Sequence, residues 1–267
     1  MATQMKTRDF ECSDAEWQAR QDLAACYRIF DHLGWGESIY NHISVAVPGE
    51  ENVFLINPFG LRFGEVTASS LVTIDLDGNV LEPGCTGRGI NLAGFVIHAA
   101  VHRGRPDLAA IFHNHADAAV AVASHRSGLL PVSQEACIIW PRVSRKTHPF
   151  EGVATDTSEQ QRILENLGPA PAHVLFMQNH GVLVGGTSVA GAFWSAYVVA
   201  RACELQCAAL ASVGGNRDAL VFPSAEAVGA TGPRLQAGLD KVGAEWGSLE
   251  FQAVLRQMRE ECPEFEQ

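Results

Sequence analysis

The stretch FVIHAAVHRGRPDLAAIFHNH, residues 95–115, decides how the chain is read. Its first half sets Phe95, His98, Val101 and His102 along one helix, capped by Asn91 and running from residue 92 to about 103. Arg105-Pro106-Asp107 breaks that helix, and residues 109–113 then read as a buried strand. Side chains alternate along a strand, so His113 and His115 project to the same side at its end and make a chelating pair. A third histidine, His180, lies in the corner Gln178-Asn179-His180-Gly181, where a glycine lets the backbone turn tightly. Three imidazoles leave one coordination position open, the usual arrangement around a catalytic divalent ion.

Upstream, Ser13 and Glu16 have the spacing of a capping box, and Leu23, Cys26, Tyr27 and Phe30 follow at the spacing of a helix buried on one face. Gly34 and Gly36 end it. Short β-type runs follow at 43–47, 53–56 and 71–74, the last leading into the hairpin signal Asp77-Gly78-Asn79. Downstream, an alanine-rich helix is predicted over 116–125, an irregular cleft-lining or surface segment over 127–157, and a helix near 158–167. Strands at 174–177 and 182–184 precede a long helix from about 188 to 211, whose buried stripe is Phe193, Ala196, Ala200, Cys203 and Cys207. Gly214-Gly215 ends that helix, and what remains is more polar. Strands mixed with helices without a regular βαβ rhythm indicate one α/β domain over 1–267, with a core of about 15–212 and a C-terminal extension of about 213–267.

Composition narrows the partners. A formal net charge of -11 argues against nucleic acid, which needs a positive surface. Seven cysteines, an odd number with no C-x-x-C, suggest reduced thiols in a cytoplasmic protein. The start MATQMKTRDF has no signal-peptide core, and the apolar stretch 190–213 is interrupted by Arg201 and Glu204, so it reads as a buried helix and no membrane partner is expected.

Residues 95–115, with Ile97-His98, Arg105-Pro106-Asp107 and His113-Asn114-His115, resemble the class II aldolase/adducin family, as does Asn179-His180-Gly181 before a strand and long helix. The segments at Asn41–Ser44, Ile56–Gly60 and Asp75–Gly78 match more loosely, and the similarity covers roughly 15–212. The resemblance implies a single α/β/α layered domain with a central, largely antiparallel sheet. It implies three metal-binding histidines, falling on His113, His115 and His180, and a divalent ion, with zinc expected and manganese or another ion as alternatives. It also implies a small-molecule substrate and a homo-oligomer, a tetramer in many members.

Two departures redirect the chemistry. Aldolases of this family carry a glutamate acid/base four residues before the histidine equivalent to His98, in a Ser-Ser-Glu motif; here that position is Gly94, after Leu92-Ala93. The other phosphate-binding loop, normally Ser or Thr before Gly, reads Phe59-Gly60. Hydroxyl donors for a dianionic phosphate are lost at both places. The Asn91–Phe95 pattern, Gly128–Pro131, Ser133-Gln134 and Phe150–Gly152 are closer to the adducin-like branch, which includes the adducins, not known as enzymes.

Glu135 is the candidate to replace the missing acid/base, and His148 is a candidate proton carrier; an ordinary loop carboxylate and a loop histidine are the alternatives. Substrate-binding candidates are Asn41, Phe59, Gly60 and Arg88, the arginine as a bidentate partner for a carboxylate. His98 is read as a core or supporting residue and His102 as a surface one. Phe59, Trp140 and Phe150, in non-helical segments, lean the reading towards an apolar or aromatic ligand. The expectation is a metal-dependent carbon–carbon lyase, an aldolase or decarboxylase, acting on a small non-phosphorylated hydroxy or oxo acid. Its rivals are an adducin-type scaffolding protein and a retro-aldol epimerase.

Overall fold

The computed structural model describes residues 11–153 and 156–267. Seven strands form one sheet: β1 (His42–Ala46), β2 (Val53–Ile56), β3 (Val72–Asp75), β4 (Val80–Glu82), β5 (Ala110–Asn114), β6 (Val174–Met177) and β7 (Gly181–Gly186). Their order is β4-β3-β2-β1-β5-β7-β6, and every neighbouring pair is antiparallel. The expected α/β/α layering with a central antiparallel sheet is what the chain adopts.

Alternation along the strands makes two separate cores. Ile43, Val45, Ala110, Phe112, Val174, Phe176, Val182 and Val184 face one layer. That layer comprises α1 (Asp14–His32), α3 (Asp117–Ala123), α4 (Gln134–Ile139), α6 (Val189–Ser212) and α8 (Ser248–Glu261). Phe54, Ile56, Val72, Ile74, Ile111, Leu175, Met177 and Leu183 face the other, made by α2 (Leu92–Gly104) and α5 (Glu159–Leu167). Helix α7 (Ala225–Lys241) packs on α4.

The capping box at the start of α1 forms by half. Ser13 Oγ accepts from Glu16 N at 3.0 Å, but the Glu16 carboxylate turns instead to Arg20 Nε at 2.8 Å. The Arg20 guanidinium then donates to Leu71 O (2.9 Å) and Thr73 Oγ1 (2.6 Å), tying α1 to β3 through a buried charge whose donors are spent on the chain.

Two segments differ from expectation. The irregular stretch 127–157 contains α4, started by Ser133 Oγ accepting from Ala136 N at 3.1 Å. The polar C-terminal stretch folds into α7 and α8, and α8 buries Phe251, Leu255 and Met258 against α1 and α6. The spacing of those three residues is that of one helical face, and each burial contributes about 2 kcal/mol. Among the described residues no helix is long and apolar enough to cross a membrane; the two charges in α6, Arg201 and Glu204, pair with each other on its outer side. All seven cysteines are free thiols.

Candidate metal centre

Strand β5 carries His113 on its last turn of pleat, with His115 one residue beyond its end. Antiparallel pairing sets Leu183 opposite His113 and Val182 opposite Asn114, so the β6–β7 turn arrives beside the same strand end. Gly181 makes that approach possible: a Cβ there would lie 2.4 Å from the Asn114 carbonyl oxygen. Asn179 takes the left-handed conformation (φ 56°), and His180 N donates to Met177 O at 3.1 Å, which closes the turn. The result brings His113, His115 and His180 together, with one nitrogen from each within 4.8 Å of the others.

The three rings are 4.8 Å apart, centroid to centroid, in every pair. His113 Nε2 faces His115 Nε2 at 2.9 Å, and His113 Nδ1 is buried with no partner among the described residues. Burial, reinforced by the neighbouring imidazoles, holds His113 well below the ordinary histidine range and His180 at about 4. Both are therefore neutral at pH 7, the form that ligates a cation. Three imidazoles that each bring a nitrogen to one point are a donor set that fits a divalent ion.

Glu37 was not singled out from the sequence. Its carboxylate accepts from His115 Nδ1, made possible by two consecutive left-handed residues, Glu37 (φ 38°) and Ser38 (φ 58°). A carboxylate behind a ligating imidazole fixes its tautomer and ring orientation. Only the unusual backbone of 37–38 brings it there, and no local pattern announces that.

The cluster opens into a cavity of about 380 Å³ whose walls include His42, Ile97, Phe150 and Val153. Among its described lining residues there is no lysine, arginine, serine or threonine, and Glu37 is the one carboxylate. Phe150, 56% exposed, stands with its ring 6.2 Å from that of His180.

The remaining candidates are distributed differently. Glu135 sits in the first turn of α4, away from this cavity. His148 is buried beside Met177, but Nε2 binds Glu159 Oε1 at 2.9 Å and Nδ1 accepts from Asn166 Nδ2 at 3.0 Å, so neither nitrogen is left for a substrate proton. Asn41 lines an adjoining cavity of about 370 Å³ on the other side of His115; its Nδ2 donates to Trp35 O at 2.7 Å. Phe59, Gly60 and Arg88 lie outside the three-histidine cavity, where the arginine packs over Gly60 and Phe59 N bonds to Gly89 O at 2.8 Å. Trp140 lines a different cavity. His98 is fully buried, as a supporting role requires. His102 is not a surface residue in the sense expected: its ring stacks on Phe54 at 4.6 Å and its Nε2 meets Ser44 Oγ at 2.8 Å.

The comparisons agree with this fold. The sequence model of the Class II Aldolase and Adducin N-terminal domain matches residues 21–207. A Caulobacter vibrioides protein that carries an aldolase class 2 name is 41% identical over 94% of this chain and 93% of its own. Mouse alpha-adducin is 40% identical over 90% of this chain, a stretch that makes up 32% of the adducin. The crystal structure of an aldolase II superfamily protein from Pseudomonas syringae superposes with a TM-score of 0.85 at 37% identity, over 96% of this chain and 98% of that one. The L-fuculose 1-phosphate aldolase of Glaciozyma antarctica PI12 gives 0.76 at 28% identity, over 96% of each chain.

Proposed function

The chain belongs to the class II aldolase and adducin family, and from that premise we propose that it is a divalent-metal-dependent carbon–carbon lyase for a small, non-phosphorylated hydroxy or oxo acid. The observation that carries this reading is the convergence of His113, His115 and His180 at the floor of a ligand-sized cavity. These three would hold the ion, with zinc favoured by an all-imidazole donor set. When bound, such an ion supplies Lewis acidity to the oxygens of a chelating substrate.

The chain's own groups define what enters. Leu92-Ala93 and Phe59-Gly60 offer no side-chain hydroxyl, and the described lining of the cavity has no cationic side chain, which favours a non-phosphorylated acid over a phosphate dianion. Ile97, Phe150 and Val153 supply apolar walls that suit an alkyl or aromatic substituent. Glu37, engaged by His115, orients that ring. With no carboxylate on residue 94, decarboxylation makes fewer demands on the site than retro-aldol cleavage, which needs a base for the carbinol proton.

Likeness to alpha-adducin at 40% identity supports a second reading, a binding module without catalysis. A screen separates them. Zinc- or manganese-loaded protein is incubated with hydroxy and oxo acids, aliphatic and aromatic, while carbon dioxide and aldehyde release are followed. The lyase reading expects release from at least one acid, abolished by a chelator and restored by the metal. Silence across the panel from fully loaded protein contradicts it and favours the binding module.

A further inference from the structure

Position 94 has no side chain, and the space above it is occupied. A Cβ on Gly94 would lie 2.6 Å from His42 Cδ2, 2.9 Å from Cγ and 3.0 Å from Nε2. Glycine at 94 and histidine at 42 are therefore complementary: any larger residue on α2 excludes this placement of the ring. The β1–β5 register sets His42 directly opposite His113, and the two rings stack at 5.1 Å with 22° between their planes. His42 also forms part of the cavity wall, although it is 3% exposed.

The ring is held from behind. His42 Nδ1 meets His98 Nε2 at 2.8 Å, His98 Nδ1 meets Ser44 Oγ at 2.5 Å, and Ser44 Oγ meets His102 Nε2 at 2.8 Å. Nδ1 being spent, Nε2 is the nitrogen of His42 that remains for the cavity. Four neutral groups joined by these three hydrogen bonds leave two states for His42 Nε2. In one, His102 Nε2–H donates to Ser44, Ser44 O–H to His98 Nδ1, and His98 Nε2–H to His42 Nδ1; His42 then offers Nε2–H to the cavity. In the other, His42 Nδ1–H donates to His98 Nε2 and His98 Nδ1–H to Ser44 Oγ, which either donates to His102 Nε2 or accepts from it as well, and His42 Nε2 offers a lone pair. A ligand with an anionic oxygen selects the first.

We propose that His42 is the hydrogen-bonding group that recognises an oxygen of the bound acid, its imidazole filling the space that a side chain at Gly94 would take, and that Ser44, His98 and His102 are positioning residues that hold its polarity. This rests on the metal-centre reading, and it assigns specificity to a residue that is not itself a metal ligand.

The test uses the full chain loaded with cobalt(II) and titrated with oxalate, a small dianion with adjacent oxygens, followed by the visible spectrum of the ion. Cobalt content is expected to be the same in wild type, His42→Ala, His42→Gln and Ser44→Ala. Oxalate Kd is expected to rise at least about tenfold in His42→Ala, less in His42→Gln, and about threefold in Ser44→Ala, whose hydroxyl does not face the cavity. Ser44→Ala keeps the test open should the alanine at 42 fail to fold. Unchanged oxalate affinity in the variants overturns the proposal, as does loaded wild type that ignores oxalate. Loss of cobalt in His42→Ala with normal oxalate affinity per bound ion also overturns it, since His42 then only props His113. Wild type that takes up no cobalt overturns the metal-centre reading itself, a separate outcome.

Discussion

Two histidine sites lie side by side where β6 ends, and they are built on opposite terms. At His148 each ring nitrogen meets a complementary group of the same chain: Nε2–H donates to Glu159, and Nδ1 accepts from Asn166. At His113, His115 and His180 one nitrogen from each ring converges on the others. The first arrangement is complete and serves the fold. The second presents a set of converging imidazoles that could hold a cation.

The comparison breaks most visibly at the ligands. His113→Ala is expected to lower divalent-metal affinity by more than about 100-fold, measured by competition with a chromophoric chelator, and to leave the melting temperature of the metal-free protein little changed. His148→Ala should do the reverse. It strands the buried Glu159 carboxylate, so stability falls by about 3 kcal/mol in urea unfolding while metal content per folded chain holds.

Acid acts on buried histidines across the fold, His180 of the candidate metal site among them. Burial depresses His42, His102 and His173 to about 3 and His180 to about 4, below the ordinary 6.5. Their contribution is full above pH 6.5 and is lost as pH falls towards the folded-state values, because the unfolded chain then binds more protons. The metal-free protein is expected to melt at least about 5 °C lower at pH 5 than at pH 7. The smallest effect is at Glu37: Glu37→Gln keeps the shape but weakens the bond to His115 Nδ1, and metal affinity is expected to fall about tenfold by the same competition assay.

Much of this was legible in the chain. The apolar runs and the turn residues that bound them located β2, β6, α2 and α6 to within a residue or two, because strands covered on both faces read as short apolar runs and buried helices as long ones. The i, i+2 histidines and the Asn179-His180-Gly181 corner are local signals, and they located the three that converge. Glu135 and His148 were chosen by sequence position, which does not register that α4 faces α6 and α7, or that Glu159 and Asn166 claim both nitrogens of His148. His42 and Glu37 were missed for physical reasons. His42 reaches the site through a pairing with a strand 71 positions away, and Glu37 through two left-handed residues that are not glycine. The available signal was indirect: Ser44, His98 and His102 are polar groups on buried faces of β1 and α2, and such groups require partners.

Elemental analysis of protein purified without added metal, with His113→Ala and His180→Ala prepared in parallel, tests most directly whether the three histidines are a metal centre. About one divalent ion per wild-type chain, with less than about a tenth of that in either variant, is the predicted result. Metal content that is negligible in wild type, or equal in wild type and both variants, would contradict it.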